Sequence, residues 1–101
     1  MTRRYKLTPQ AEQDLEDIWR YTANQWSVEQ AMRYIDKLES AFCLIADHPK
    51  MNRQRFEFVP PMRFHPSQQH LIAYTAIDEI RILIVRILHK NMDIDAQFLE
   101  Q

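Results

Sequence analysis

Apolar residues in the first half of the chain recur with a helical period. Ala11, Leu15, Ile18, Trp19 and Thr22 fall on one face of a helix running to about Asn24. Thr8 stands at its N-cap position and Pro9 at N1, where a missing N–H costs nothing. Ser27, followed three residues later by Gln30, opens a second helix, with Trp26 in the staple position before it. Ala31, Tyr34, Ile35, Leu38, Ala41, Phe42 and Ile45 form its apolar face, and His48-Pro49 ends it. Elsewhere the period is that of a strand. Residues 3–7 alternate, with Tyr5 and Leu7 apolar. Met62 to His65 predicts a short strand stopped by Pro66, and His70 to Ile77 a longer one. Asp78-Glu79 predicts a tight turn. Ile80 to His89 (IRILIVRILH) is apolar at most positions and reads as a central strand covered on both faces. Asp93 to Leu99 suits one more helical turn or a last short strand.

The order is therefore β-α-α-β-β-β, an α+β fold with an N-terminal helical hairpin packed on an antiparallel sheet. Helices joined by about three residues lie antiparallel, and their shared apolar face needs a sheet to cover. Leu38 and Leu83 are both expected in the core, where an aspartate would abolish folding. The 101 residues fit a single domain, 1–101.

Composition narrows the function classes. Lysine and arginine number 13 against 14 acidic residues, for a formal net charge of −1. A protein that binds DNA through its phosphates needs a basic excess, so no direct nucleic-acid binding is expected. The balance is local: from Lys50 to His65 four basic residues (Lys50, Arg53, Arg55, Arg63) meet one acidic one, Glu57. The single cysteine, Cys43, excludes an intrachain disulfide and a cysteine metal site, and its place beside the second helix's stripe predicts a small buried side chain. The absence of glycine excludes glycine-rich phosphate loops and leaves the turns to Asn, Ser, Gln, Asp and Pro. MTRRYKLTPQ has no apolar signal region, and the longest apolar run, Ala41 to Ala46, is six residues. A soluble cytoplasmic protein is the expectation.

Three stretches together resemble a known family. LTPQAEQDLEDIWRYTANQW is similar to the ParE pattern of a Ser/Thr-Pro start, Ala, Asp-Leu and Ile-Trp-x-Tyr with a later Trp. EQAMRYIDKLESAFCLIADHP is similar to that family's second helix. His70-Leu-Ile-x-Tyr followed by IRILIVRILHKNMD resembles its His-x-Ile-x-Tyr strand and its Ile/Val-Arg-Ile-Leu-His-x-x-Met-Asp strand. Family glycines are absent here, so Asn52 and Ser67-Gln68 must supply those turns. The resemblance, over roughly residues 3–95, implies the toxin of a type II toxin–antitoxin pair of the ParE/RelE superfamily. ParE-like members poison DNA gyrase and are held inactive by a ParD-like antitoxin; RelE-like relatives cut ribosome-bound mRNA. The antitoxin is expected on apolar surface of the hairpin and sheet.

RNA cleavage needs a base, an acid and cations around the phosphate. Arg63, Arg81 and His89 are the candidates for that alternative. In a regular strand Arg81 and Arg86 point to opposite faces, so only a bulge lets both grip one phosphate. His89 shares a face with Arg81, Leu83, Val85 and Ile87, where a histidine is more often structural. Asp93 and Asp95 repel phosphate. Asp14 and Asp17, the paired carboxylates of the first helix, read as a solvated face. His65 and His70 lack a third metal ligand at useful spacing. The reading is a binding protein with no catalytic residues, no cofactor and no metal. Its expected partner contacts are Arg53, Arg55 and Arg63 in the basic loop, and Trp26 at the helix corner.

Overall fold

The computed structural model describes residues 4–94 and 97. Strand β1 (Tyr5–Leu7) leads into helices α1 (Pro9–Gln25) and α2 (Val28–Asp47). A 3-10 turn at Pro49–Met51 follows, then strands β2 (Gln54–Arg55), β3 (Met62–Ser67), β4 (His70–Ala76) and β5 (Ile82–His89). The sheet order is β1-β5-β4-β3-β2. The predicted fold holds, with two additions. The two-residue β2 pairs with Arg63 and Met62, and β1 joins the antiparallel meander as a strand parallel to β5. Arg3 and most of the 93–99 tail lie outside the described residues. In that tail, Ile94 is helical and the Gln97 N–H donates to the Asp93 carbonyl.

Both helix starts follow their predicted caps. Thr8 Oγ1 accepts from the Ala11 N–H at 3.0 Å and donates to the Val85 carbonyl at 2.7 Å, so one hydroxyl starts α1 and ties it to β5. Ser27 Oγ accepts from the Gln30 N–H at 3.0 Å. The core between hairpin and sheet holds Leu38, Phe42, Ile45, Ile72, Tyr74, Ile82, Ile84 and Ile87. Each such side chain contributes roughly 1.5–3 kcal/mol on burial. A smaller cluster of Phe58, Met62 and Ala73, with Phe64, Val85 and Ile94, covers part of the opposite sheet face.

The inward stripe of α1 keeps Ala11, Ile18 and Thr22 of the predicted one but leans toward Asp14 and away from Trp19. Asp14 is buried and Trp19, expected in the core, is 39% exposed. The cause lies in the sheet. Beyond Leu7 the chain leaves β5 to form α1, so β5 has an open edge from Val85 onward. Asp14 closes that edge. Its Oδ2 accepts from the Ile87 N–H at 2.9 Å, and its carboxylate takes Arg86 Nε and Nη2 at 2.9 and 3.1 Å. Asp14 is thus no solvated carboxylate, whereas Asp17 is exposed beside Arg20.

Other departures have local causes. Pro66 does not stop β3, which runs to Ser67; β2 ends its pairing at Arg63, so beyond it β3 is an edge where a missing donor is tolerated. Cys43 is exposed, because it follows Phe42 by about 100° around the helix and falls off the stripe. Leu83 is half-buried, since Ile82 and Ile84 take the helix side and alternation sends Leu83 the other way. A bulge between Ala73 and Tyr74, opposite Val85, reverses the phase of β5. Val85 therefore packs with Phe58's cluster while Ile87 returns to the helix side, so these two do not share a face as predicted. With glycine absent, Gln68 takes the positive φ (57°) of the β3–β4 turn.

Candidate functional site

Neither end of the sheet assembles the three nuclease candidates. His89 ends β5, where it pairs with His70. Arg81 precedes β5, in the turn and not on the strand as expected. Its Nε and Nη2 donate to Asp78 Oδ2, whose partner oxygen accepts from the Ile80 and Arg81 N–H groups. Those donors, the Ile80 N–H foremost, hold the Asp78 carboxyl below its ordinary range. Arg81 and His89 are separated by the length of β5, roughly 25 Å at strand rise. Arg63 pairs with Tyr74 on β4, four positions from His70, and its guanidinium donates to the Asn52 carbonyl. The bulge that could have let Arg81 and Arg86 act together is present, yet Arg86 is bound to Asp14 and Arg81 to Asp78.

At the Arg63 end lies a basic loop. Tyr74 Oη donates to the Pro49 carbonyl at 2.8 Å and accepts from Asn52 Nδ2, which also reaches His65 Nδ1. This network pins the 3-10 turn to the sheet. Burial pushes the Tyr74 phenol up and the His65 imidazole down. Arg55 stacks over the Phe58 and Phe64 rings, 5.1 and 5.3 Å from their centroids, and donates to Glu57. Its hydrogen bond holds the exposed Glu57 carboxyl below the usual range. Arg53 is exposed and makes no hydrogen bond among the described residues. Of the three arginines predicted to meet a partner, two are therefore anchored to their own loop and one stands free.

At the His89 end lies a cleft of about 470 Å³ between the helical hairpin and the sheet. Trp26, predicted as a staple with a possible contact role, is 76% exposed on its rim, and Tyr21 beside it is 65% exposed. Its floor is a chain of hydrogen bonds. The Gln69 N–H donates to Tyr34 Oη at 3.1 Å, and Tyr34 Oη lies 2.6 Å from His70 Nδ1. The Tyr34 hydroxyl thus bridges the Gln69 N–H and the His70 ring. Burial foremost, then the nearby His89, pushes His70 down to about 4, against a smaller opposing effect of Asp14. His89 stacks edge-on at 5.3 Å, and its Nδ1 accepts from the Asn91 N–H. The structure thus brings Trp26 and His89 together, and leaves Arg53, Arg55, Arg63 and Arg81 at the far end. Tyr21 and Tyr34 are not among the site residues the sequence predicts: Tyr34 reads as part of the apolar face of α2, and Tyr21 enters only as the tyrosine of the Ile-Trp-x-Tyr pattern.

Fold and surfaces together define a small α+β scaffold: one hairpin on one mixed sheet, with an aromatic cleft at one end and a basic loop at the other. Its relatives have the same extent. The family described as "ParE toxin of type II toxin-antitoxin system, parDE" matches residues 5–94. "Toxin ParE1" of Mycobacterium tuberculosis is 37% identical over 95 residues, covering 94% of this chain and 97% of that protein. "Toxin ParE1" of Caulobacter vibrioides is 35% identical, covering 88% and 91%. "Toxin ParE" of Escherichia coli is 34% identical, covering 89% and 87%. A solved chain of the "Chromosomal ParDE TA system from P. aeruginosa" shares the fold, with a TM-score of 0.71 at 18% identity, covering 84% of this chain and 92% of that one. The chain belongs to the ParE toxin family of type II toxin–antitoxin systems. No helix among the described residues is long and apolar enough to cross a membrane.

Proposed function

We propose that the chain inhibits DNA gyrase by protein–protein binding, without chemistry of its own, and is neutralised in the cytoplasm by a cognate ParD-like antitoxin. Family membership over residues 5–94 carries the reading. The dispersal of Arg63, Arg81 and His89, each with a local structural partner, supports a binding mode over the RelE-like alternative of mRNA cleavage. Exposed apolar side chains on both helices, among them Tyr21, Trp26, Val28 and Met32, give an antitoxin segment something to cover.

The test is a supercoiling assay with purified gyrase and increasing amounts of the chain. Loss of supercoiling, restored by adding the antitoxin, is the expected result. Undiminished gyrase activity at high excess, together with arrest of cell-free translation, would turn the reading toward the nuclease relatives.

A further inference from the structure

The cleft beside Trp26 has a composition that selects a ligand. Its exposed walls are aromatic: Tyr21 and Trp26 stand largely in solvent although both are large apolar side chains. Its floor, Tyr34 and His70, is already satisfied internally by the hydrogen bond between them. His70 stays neutral above a pH of about 4 because burial disfavours its charged form. Among its lining residues the one carboxylate is Asp17. Gln13 Nε2 and Arg20 Nη1 approach Asp17 through Oδ1, at 2.9 and 3.6 Å, and Oδ2 makes no hydrogen bond among the described residues. Gln30 and Gln69 add amide groups at the edge.

We propose that this cleft receives an arginine side chain presented by a partner polypeptide. Aromatic faces carry negative π density that attracts a cation, and Trp is the strongest of them. A guanidinium is planar, weakly hydrated and able to stack on an indole while its edge donates to a carboxylate, which an ammonium does less well. Trp26 and Tyr21 supply the faces, Asp17 Oδ2 supplies the acceptor, and the Gln69 amide oxygen offers a further one, the Gln30 oxygen being engaged by Arg33 at 3.1 Å. An anionic side chain would meet Asp17 and the π faces of both exposed rings, all repulsive. A purely apolar side chain would leave the carboxylate unused. The inference does not depend on which protein the partner is.

The probe is N-acetylarginine amide, titrated into the purified ¹⁵N-labelled chain while the two indole N–H signals are followed. Trp19 lies outside the cleft and serves as the internal control. The Trp26 signal is expected to move saturably and the Trp19 signal to stay. N-acetylcitrulline amide, of the same shape without the charge, is expected to bind about tenfold more weakly, the size of a partly desolvated cation–aromatic contact. Asp17→Asn, a change at an exposed position, is expected to narrow that difference without erasing it, because the aromatic faces remain, and Tyr21→Ala to weaken N-acetylarginine amide more than N-acetylcitrulline amide. Equal binding of the two probes, stronger binding of N-acetylglutamate amide, or no movement of Trp26 would each overturn the proposal.

Discussion

At the scale of single residues, buried polar groups decide more than their number suggests. Asp14 sits in α1, where helical periodicity alone assigns it to solvent, and its partners lie 72 and 73 positions away. Nothing local in the sequence announces that pairing; the open edge of β5 creates the demand for an acceptor. Removing one partner of a buried ion pair strands the other, at a cost of about 3–5 kcal/mol. Asp14→Ala is therefore expected to lower unfolding free energy by about that amount in urea titrations, and Asp14→Asn by less, because an amide oxygen still accepts the Ile87 N–H. A change within about 0.5 kcal/mol for the alanine variant is what a solvated carboxylate would give. His70 sets a pH dependence. Its folded-state value, about 4, is depressed below the ordinary 6.5 of a histidine, so the unfolded chain binds the extra proton. Stability from this residue is complete above about 6.5 and falls as pH drops towards about 4. Midpoints of urea unfolding between pH 7 and 5 should decline in the wild-type chain. They should decline distinctly less in His70→Gln; equal slopes would assign the effect to other groups.

Elements were legible wherever one period governed a whole segment. Both helices and their caps, the β4–β5 hairpin and the turn at Asp78 can be read from residues alone, because Thr8, Ser27 and Asp78 act on N–H groups within three positions. What escaped is non-local. Pro66 reads as a stop until β3 is seen as an edge strand beyond Arg63, and the phase of β5 reverses at a bulge that depends on the partner strand. Leu83 was misplaced for a related reason: a nearly continuous apolar run does not say which face is thinner. The stripe of α2 was read correctly and carries a quantitative expectation. Leu38 is fully buried, and Leu38→Ala should cost about 2–5 kcal/mol. Leu44 lies on the same helix at 43% exposure, and Leu44→Ala should cost less than about 1 kcal/mol. Chemical denaturation of both variants checks the orientation of the helix; similar losses would mean that it is rotated.

For the molecule as a whole, the sheet acts as a spacer that keeps an aromatic cleft and a basic loop at opposite ends. Trp26 was visible as a candidate contact because a tryptophan at a helix corner has little core to enter, but the cleft was not, since it forms only when α1, α2 and the ends of β4 and β5 meet. The basic loop was visible as a charge surplus, and the structure sorts its members. Arg55 and Arg63 spend their hydrogen bonds on Glu57 and Asn52, while the exposed Arg53 keeps its donors for solvent or a partner. If this loop steers the chain onto an acidic surface, the steering is electrostatic, and rim charges of this kind act mainly on the association rate. Arg53→Glu should then slow association with gyrase several-fold at low salt, with unfolding free energy changed by no more than about 0.5 kcal/mol. The difference from wild type should shrink as salt is raised toward 0.5 M, where the screening length falls to a few ångströms. Stopped-flow or surface binding with purified gyrase reads both quantities. A rate indifferent to the charge of residue 53 at low salt would remove the loop from the docking surface, and leave the cleft at the far end of the sheet as the place where a partner first engages.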